Sequence, residues 1–152
     1  MRFWRLLVKS SSKLGVFILA VAAAALVSGC TSNTLPAYRA YANDADVPRI
    51  NVEEAKKDVD AGIAVIVDSR PAFAFKHERI ADSLNVVWGS SEDAYGVLPK
   101  DKKIIVYCSC AAEHTSAALA YQMNQKGIAN TYALVGGTAA WKNAGYPMAS
   151  GD

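Results

Sequence analysis

The feature that most constrains the fold is the run Ile104-Ile105-Val106-Tyr107-Cys108, followed by Ser109-Cys110-Ala111-Ala112-Glu113-His114 and then by Thr115-Ser116 and an alanine-rich stretch. A short, β-branched, apolar run reads as a buried strand. The small and polar residues after it read as a loop, and the alanines as a helix. The first backbone amides of a helix have no intrahelical partner and carry partial positive charge, so they bind anions. A cysteine held against such amides is biased toward the thiolate, which is the reactive form. The residue types alone therefore nominate a nucleophilic cysteine in this loop.

The rest of the chain reads as strands alternating with helices. Asn51 is an N-cap, with Glu53 and Glu54 in the first turn, Lys56 and Lys57 further on, and Gly62 as the stop. Ile63 to Val67 is a buried strand ending in Asp68-Ser69-Arg70, and Pro71 opens a short helix. Leu84 to Val87 is a strand, and Trp88 to Pro99 is loop with one helical turn. Thr115 to Lys126 is a helix, with Ala117, Ala118, Leu119, Tyr121 and Met123 as packing candidates. Thr131 to Val135 is the last strand, leading through Gly136-Gly137 to a short helix at Thr138 to Asn143 that carries Trp141. This alternation predicts an α/β fold with a central, mostly parallel sheet flanked by helices. Ligands in such sheets bind beyond the carboxyl ends of the strands. Asp68 and Arg70, Cys108, and Gly136-Gly137 each follow a strand, so three signals converge on one edge.

The N-terminus is different in kind. Met1 to Lys13 is basic, Leu14 to Val27 is a nearly unbroken apolar run, and Leu26-Val27-Ser28-Gly29-Cys30 follows. A basic start, an apolar run of about 7–15 residues and small residues before a cut site mark a secretory signal. The last five residues resemble a bacterial lipobox, with Val27 where leucine is commoner. That resemblance implies that Cys30 is lipidated and becomes the mature N-terminus. Thr31 is not the aspartate that favours inner-membrane retention, so the expected location is the outer membrane, facing the periplasm. Residues 1–29 are thus a lipoprotein signal peptide, 30–48 a lipidated N-terminus and flexible tether, and 49–150 the folded domain. Four of the 16 basic residues precede Cys30 and none of the 14 acidic ones does, which leaves the remainder slightly acidic. That balance argues against nucleic acid as a partner. Three cysteines are too few for a disulfide framework.

The domain resembles the rhodanese (sulfurtransferase) homology domain. Val67-Asp68-Ser69-Arg70 is similar to its Asp-x-Arg strand end, and Ile80 to Val86 to its His-Ile-Pro-Gly-Ala-Ile-Asn-Ile segment, with Arg79 where histidine is usual. Ile104 to Cys108 is similar to the strand ending in the catalytic cysteine. Leu134-Val135-Gly136-Gly137-Thr138-Ala139-Ala140-Trp141, with Asn143 to Pro147, is similar to the closing signature. The resemblance implies a rhodanese-like three-layer fold and covalent sulfur transfer through a cysteine persulfide. Oriented loop amides would steady the charge. The partners it implies are a small sulfur donor such as thiosulfate and a thiol or cyanide acceptor, with no cofactor and no metal. A single-domain, single-site chain is expected to work as a monomer.

The loop departs from the family pattern. The usual order is cysteine, four residues, then arginine or a small polar residue, then serine. Counting forward from the strand selects Cys108; counting back from Thr115-Ser116 selects Cys110. Cys108 is favoured because a strand fixes position more rigidly than a loop. Ser109, Ala111, Ala112, Glu113, His114, Thr115 and Ser116 make up the rest of the binding loop, with Asp68 and Arg70 supporting it. The loop lacks arginine and carries Glu113, which opposes a dianionic donor and predicts weak thiosulfate activity; as a structural residue, Glu113 would sit in the first helical turn. His77 reads as a surface residue and Trp141 as core. The alternatives are a thiol–disulfide role for the Cys108/Cys110 pair, a non-catalytic partner-binding module, and metal capture by Cys108, Cys110 and His114. Cys30→Ser is expected to move the protein from the membrane fraction to the soluble fraction on cell fractionation; continued membrane association would count against the lipid anchor.

Overall fold

The structure, a computed structural model, describes residues 37–151. The signal segment and Cys30 lie outside the described residues. The strands are β1 (Arg49–Ile50), β2 (Ala64–Asp68), β3 (Arg79–Ile80), β4 (Leu84–Asn85), β5 (Lys103–Tyr107), β6 (Thr131–Leu134) and β7 (Met148–Ala149). The helices are α1 (Val52–Asp60), α2 (Ala72–His77), α3 (His114–Gln125) and α4 (Gly137–Asn143). Short 3-10 turns cover Asp44–Asp46 and Glu92–Val97.

Five strands form a parallel sheet in the order β1-β6-β5-β2-β4, so β5 lies at its centre. Side chains alternate across a strand, and β5 shows this directly. Ile104 and Val106 join a core with Val67, Val86, Ala117, Ala120 and Met123, beneath α3. Ile105 and Tyr107 join a second core with Ile50, Val52, Ala55, Ile66 and Trp141, beneath α1 and α4. The result is the expected three-layer arrangement. All five residues from Ile104 to Cys108 are almost wholly buried, which holds the strand end rigid.

Of the four helices α1–α4, one is started by a side-chain cap. Asn51 Oδ1 accepts the amide of Glu54 at 2.8 Å and starts α1. Trp141 is core, with its Nε1 donating to the Pro147 carbonyl at 3.1 Å.

Three features depart from the sequence expectation. β6 is not the last strand, because β7 pairs antiparallel with β3 in a separate two-stranded ribbon. β1 is an added edge strand on β6. Residues 30–48 were expected to form a tether, yet their described part is anchored at two points, with residues 42–46 between them exposed. Tyr41 and Val47 are buried, and Asn124 of α3 reaches into the segment. Its Oδ1 accepts the Tyr41 amide and its Nδ2 donates to the Arg39 carbonyl, both at 2.9 Å. A buried asparagine needs such partners, and periodicity cannot show them because they lie more than 80 residues away.

The tightest approach joins β5 to α4. Thr138 donates to the Cys108 carbonyl through its amide at 3.0 Å and its hydroxyl at 3.2 Å. Gly137, at φ +51°, lies against that carbonyl, and a side-chain carbon there would come within 2.0 Å of the oxygen. Gly137→Ala combines left-handed backbone strain with this overlap and is expected to destabilise by roughly 2–5 kcal/mol. A urea unfolding midpoint indistinguishable from wild type would refute that account.

Candidate active site

The loop after β5 sits at the carboxyl edge of the sheet, with Asp68 and Arg70 after β2 and Gly136-Gly137 after β6. This is the convergence expected from the sequence. What the structure adds is the separation of the two thiols.

Cys108 is 2% exposed, with its sulfur beneath the loop. The Cys110 amide points to this sulfur at 3.4 Å, and the Ser116 hydroxyl lies 3.7 Å away. The Cys108 S–H points back to the Cys110 carbonyl at 3.6 Å. Burial pushes the Cys108 thiol up.

Cys110 is only partly buried. Burial again pushes upward. It is outweighed by the Cys108 S–H and by the amides of Thr115, His114 and Cys110 itself, and the thiol lies below its ordinary value. Those amides of His114 and Thr115 open α3 and have no intrahelical acceptor. The sequence expectation favoured Cys108; the structure places its sulfur against the Cys110 amide and the Ser116 hydroxyl and leaves Cys110 partly exposed. The strand does fix the Cys108 backbone, but it turns the thiol inward. The loop brings Cys110, the position found by counting back from Thr115-Ser116, to the start of the helix.

Glu113 closes the loop. It has a left-handed backbone at φ +51°, where a side chain is strained. Its carboxylate Oε1 accepts the Gly136 amide at 2.8 Å. Its carbonyl accepts the Ala117 amide at 2.8 Å and the Ser116 hydroxyl at 3.0 Å. It is the N-cap of α3 rather than a first-turn residue. The acid expected to oppose an anionic donor is thus used as a brace between the loops after β5 and β6.

Ser109, Ala111, Ala112 and His114 are exposed at the mouth, and Thr115 is partly buried. Trp88, 57% exposed, faces His114 and Thr115 across a cavity of about 380 Å³. His77 is exposed, as expected.

Asp68 and Arg70 form a fork, with guanidinium-to-carboxylate distances of 2.7 to 3.1 Å. Arg70 also donates to the Glu78 carbonyl at 2.6 Å, and its amide donates to Asp68 Oδ1 at 2.8 Å. The bond to Asp68 is the main reason that its guanidinium is held above its ordinary value. Arg70 is therefore committed to the scaffold. Residues that sequence reading missed complete this support. Ser69 donates to the Tyr107 carbonyl at 2.7 Å, and Asn85 Nδ2 donates to the carbonyls of Asp68 and Arg70 at 3.0 and 2.9 Å. Among the described residues, no group of three or more His, Cys, Asp or Glu is placed to hold a metal ion, so the Cys108, Cys110 and His114 set does not form one.

Comparison with known proteins gives one consistent result. The rhodanese-like domain family matches residues 51–144. A thiosulfate sulfurtransferase GlpE of Pseudomonas savastanoi pv. phaseolicola is 35% identical over 99 residues, spanning 65% of this chain and 90% of that protein. A second GlpE, from Actinobacillus succinogenes, is 29% identical over 102 residues, spanning 65% of this chain and 87% of its own. A solved rhodanese-related protein from Thermoplasma volcanium superposes with a TM-score of 0.57 at 27% identity, covering 67% of this chain and 97% of that one.

The opposite shifts of the two thiols predict an order of reaction. Because the thiolate is the species alkylated and Cys110 is the more exposed of the two, iodoacetamide pulses at rising pH should label Cys110 first and Cys108 only at higher pH. Peptide fragmentation spectra report each site, and labelling of Cys108 first would contradict the geometry described.

Proposed function

The chain belongs to the rhodanese-like domain family, and from that premise we propose that it is a sulfurtransferase whose nucleophile is Cys110. The observation that carries this reading is the partial exposure of the Cys110 thiol at the mouth of the loop, where the Cys108 side chain first, and then the amides at the start of α3, hold it below its ordinary value against burial. The relatives named as thiosulfate sulfurtransferases support the choice of donor class.

The Cys110 thiolate attacks the outer sulfur of a thiosulfate-type donor. The S–S bond of the donor breaks, sulfite leaves with the electron pair, and the outer sulfur stays on Cys110 as a persulfide. The amides of Cys110, His114 and Thr115, which already favour the thiolate, hold the persulfide anion in the same place. A thiolate or cyanide then takes the outer sulfur and returns Cys110 to its starting state. Arg70 is bound to Asp68 and Glu78, so recognition of the anionic donor falls to the loop amides. This predicts weaker use of thiosulfate than in relatives with an arginine in the loop. Glu113 holds the loop closed through its bond to the Gly136 amide. In the cell, the reading places the domain on the periplasmic side of the envelope, held by lipid on Cys30.

Cys110→Ser should lower the rate of sulfite release from thiosulfate by roughly 10³-fold or more, as expected for loss of a nucleophile. Cys108→Ser removes one weak contact of about 1 kcal/mol and should keep the rate within about tenfold. Sulfite assays on the two purified variants decide the matter; loss of activity in Cys108→Ser with retention in Cys110→Ser would overturn the assignment.

A further inference from the structure

We propose that Cys108 is a resolving thiol for the Cys110 persulfide, so that the loop releases its transferred sulfur as sulfide as well as passing it to an acceptor. The inference rests on the assignment of Cys110 as nucleophile. Two observations carry it.

The first is proximity. The backbone of Cys110 folds back over the Cys108 sulfur, with its amide at 3.4 Å and its carbonyl at 3.6 Å. Both thiols are free. The second is direction. Cys108 is buried beneath the loop and Cys110 is partly exposed. Attack from Cys108 on the inner sulfur therefore comes from the protein side, and the outer sulfur departs toward solvent. Thiol–disulfide exchange needs attacking, central and leaving sulfurs arranged in this sense.

The step balances. The Cys108 sulfur bonds to the Cys110 sulfur as the bond from Cys110 to the outer sulfur breaks. That outer sulfur leaves with the electron pair and takes the Cys108 proton, giving hydrosulfide. Two cysteine sulfurs are oxidised to a disulfide, and the sulfane sulfur is reduced to sulfide. Two equivalents of a thiol, or one dithiol, then reduce the Cys108–Cys110 disulfide and are themselves oxidised to a disulfide. The net reaction consumes thiosulfate and two thiols and yields sulfite, sulfide and a disulfide. A ring closed across one residue is strained, and strained disulfides are readily reduced, so the oxidised loop is short-lived where thiols are present.

The test uses the full chain, reduced and then freed of reductant, mixed with thiosulfate and no acceptor. Sulfite and sulfide are followed with time, samples are trapped with an alkylating agent, and the tryptic peptide Ile104–Lys126, which holds both cysteines, is weighed. Wild type should release sulfite, then an equal amount of sulfide, and its peptide should become two hydrogens lighter and refuse the alkylating agent. These rates should not depend on protein concentration. Cys108→Ser should release sulfite, keep a peptide one sulfur heavier, and yield sulfide only when dithiothreitol is added. Wild type that holds the heavier peptide as long as Cys108→Ser, with no sulfide, overturns the proposal and leaves the sulfurtransferase reading intact. No sulfite from wild type overturns both. If Cys108→Ser does not fold, the mass of the wild-type peptide decides alone.

Discussion

The site depends on where β5 is made to stop. The carbonyl of Cys108 is taken by Thr138 rather than by a neighbouring strand, and Gly137 lets α4 approach closely enough to do this. With that carbonyl occupied, the chain cannot continue in the sheet and must turn. The burial of Ile104 to Tyr107 on both faces keeps the turning point fixed. Position therefore comes from the apolar core, and direction comes from one polar clamp.

Beyond the clamp, the loop is held by three different means. Its far end is set by α3, its middle by the backbone of Cys110 around the Cys108 sulfur, and its closing residue by the Glu113 bond to Gly136. Glu113 occupies a left-handed backbone that glycine would adopt at lower cost, and its carboxylate bond offsets that strain. The same bond joins the two loops that face each other across the candidate site. The brace gives the acid in this loop a structural role, because its carboxylate accepts a backbone amide of the facing loop.

Much of the architecture was legible because it follows from local patterns. The apolar runs gave β2, β5 and β6, Asn51 gave the start of α1, and the glycine pair gave the turn before α4. The pieces that were not legible depend on partners distant in sequence. β7 is two residues long and exists only because β3 lies beside it. The packing of Tyr41 depends on Asn124. The candidate site was readable down to the loop and to the two competing cysteines, and no further. Which thiol meets the helix amides depends on how a loop two residues longer than the family pattern folds. Strand rigidity favoured Cys108, but rigidity of a backbone says nothing about where its side chain points. The burial of Cys108 and the partial exposure of Cys110 come from the inward turn at the strand end and the return of the chain over it, and neither leaves a mark in composition or period.

The segment before β1 has a practical consequence for anyone cutting this chain into parts. The family resemblance begins at residue 51, yet Asn124, 1% exposed, finds the partners of its side-chain amide at Arg39 and Tyr41. A fragment trimmed to the matching residues would strand that amide in an apolar setting and uncover the flank of α3, the helix that follows the cysteine loop. The smallest autonomous piece is therefore longer at its front than homology suggests.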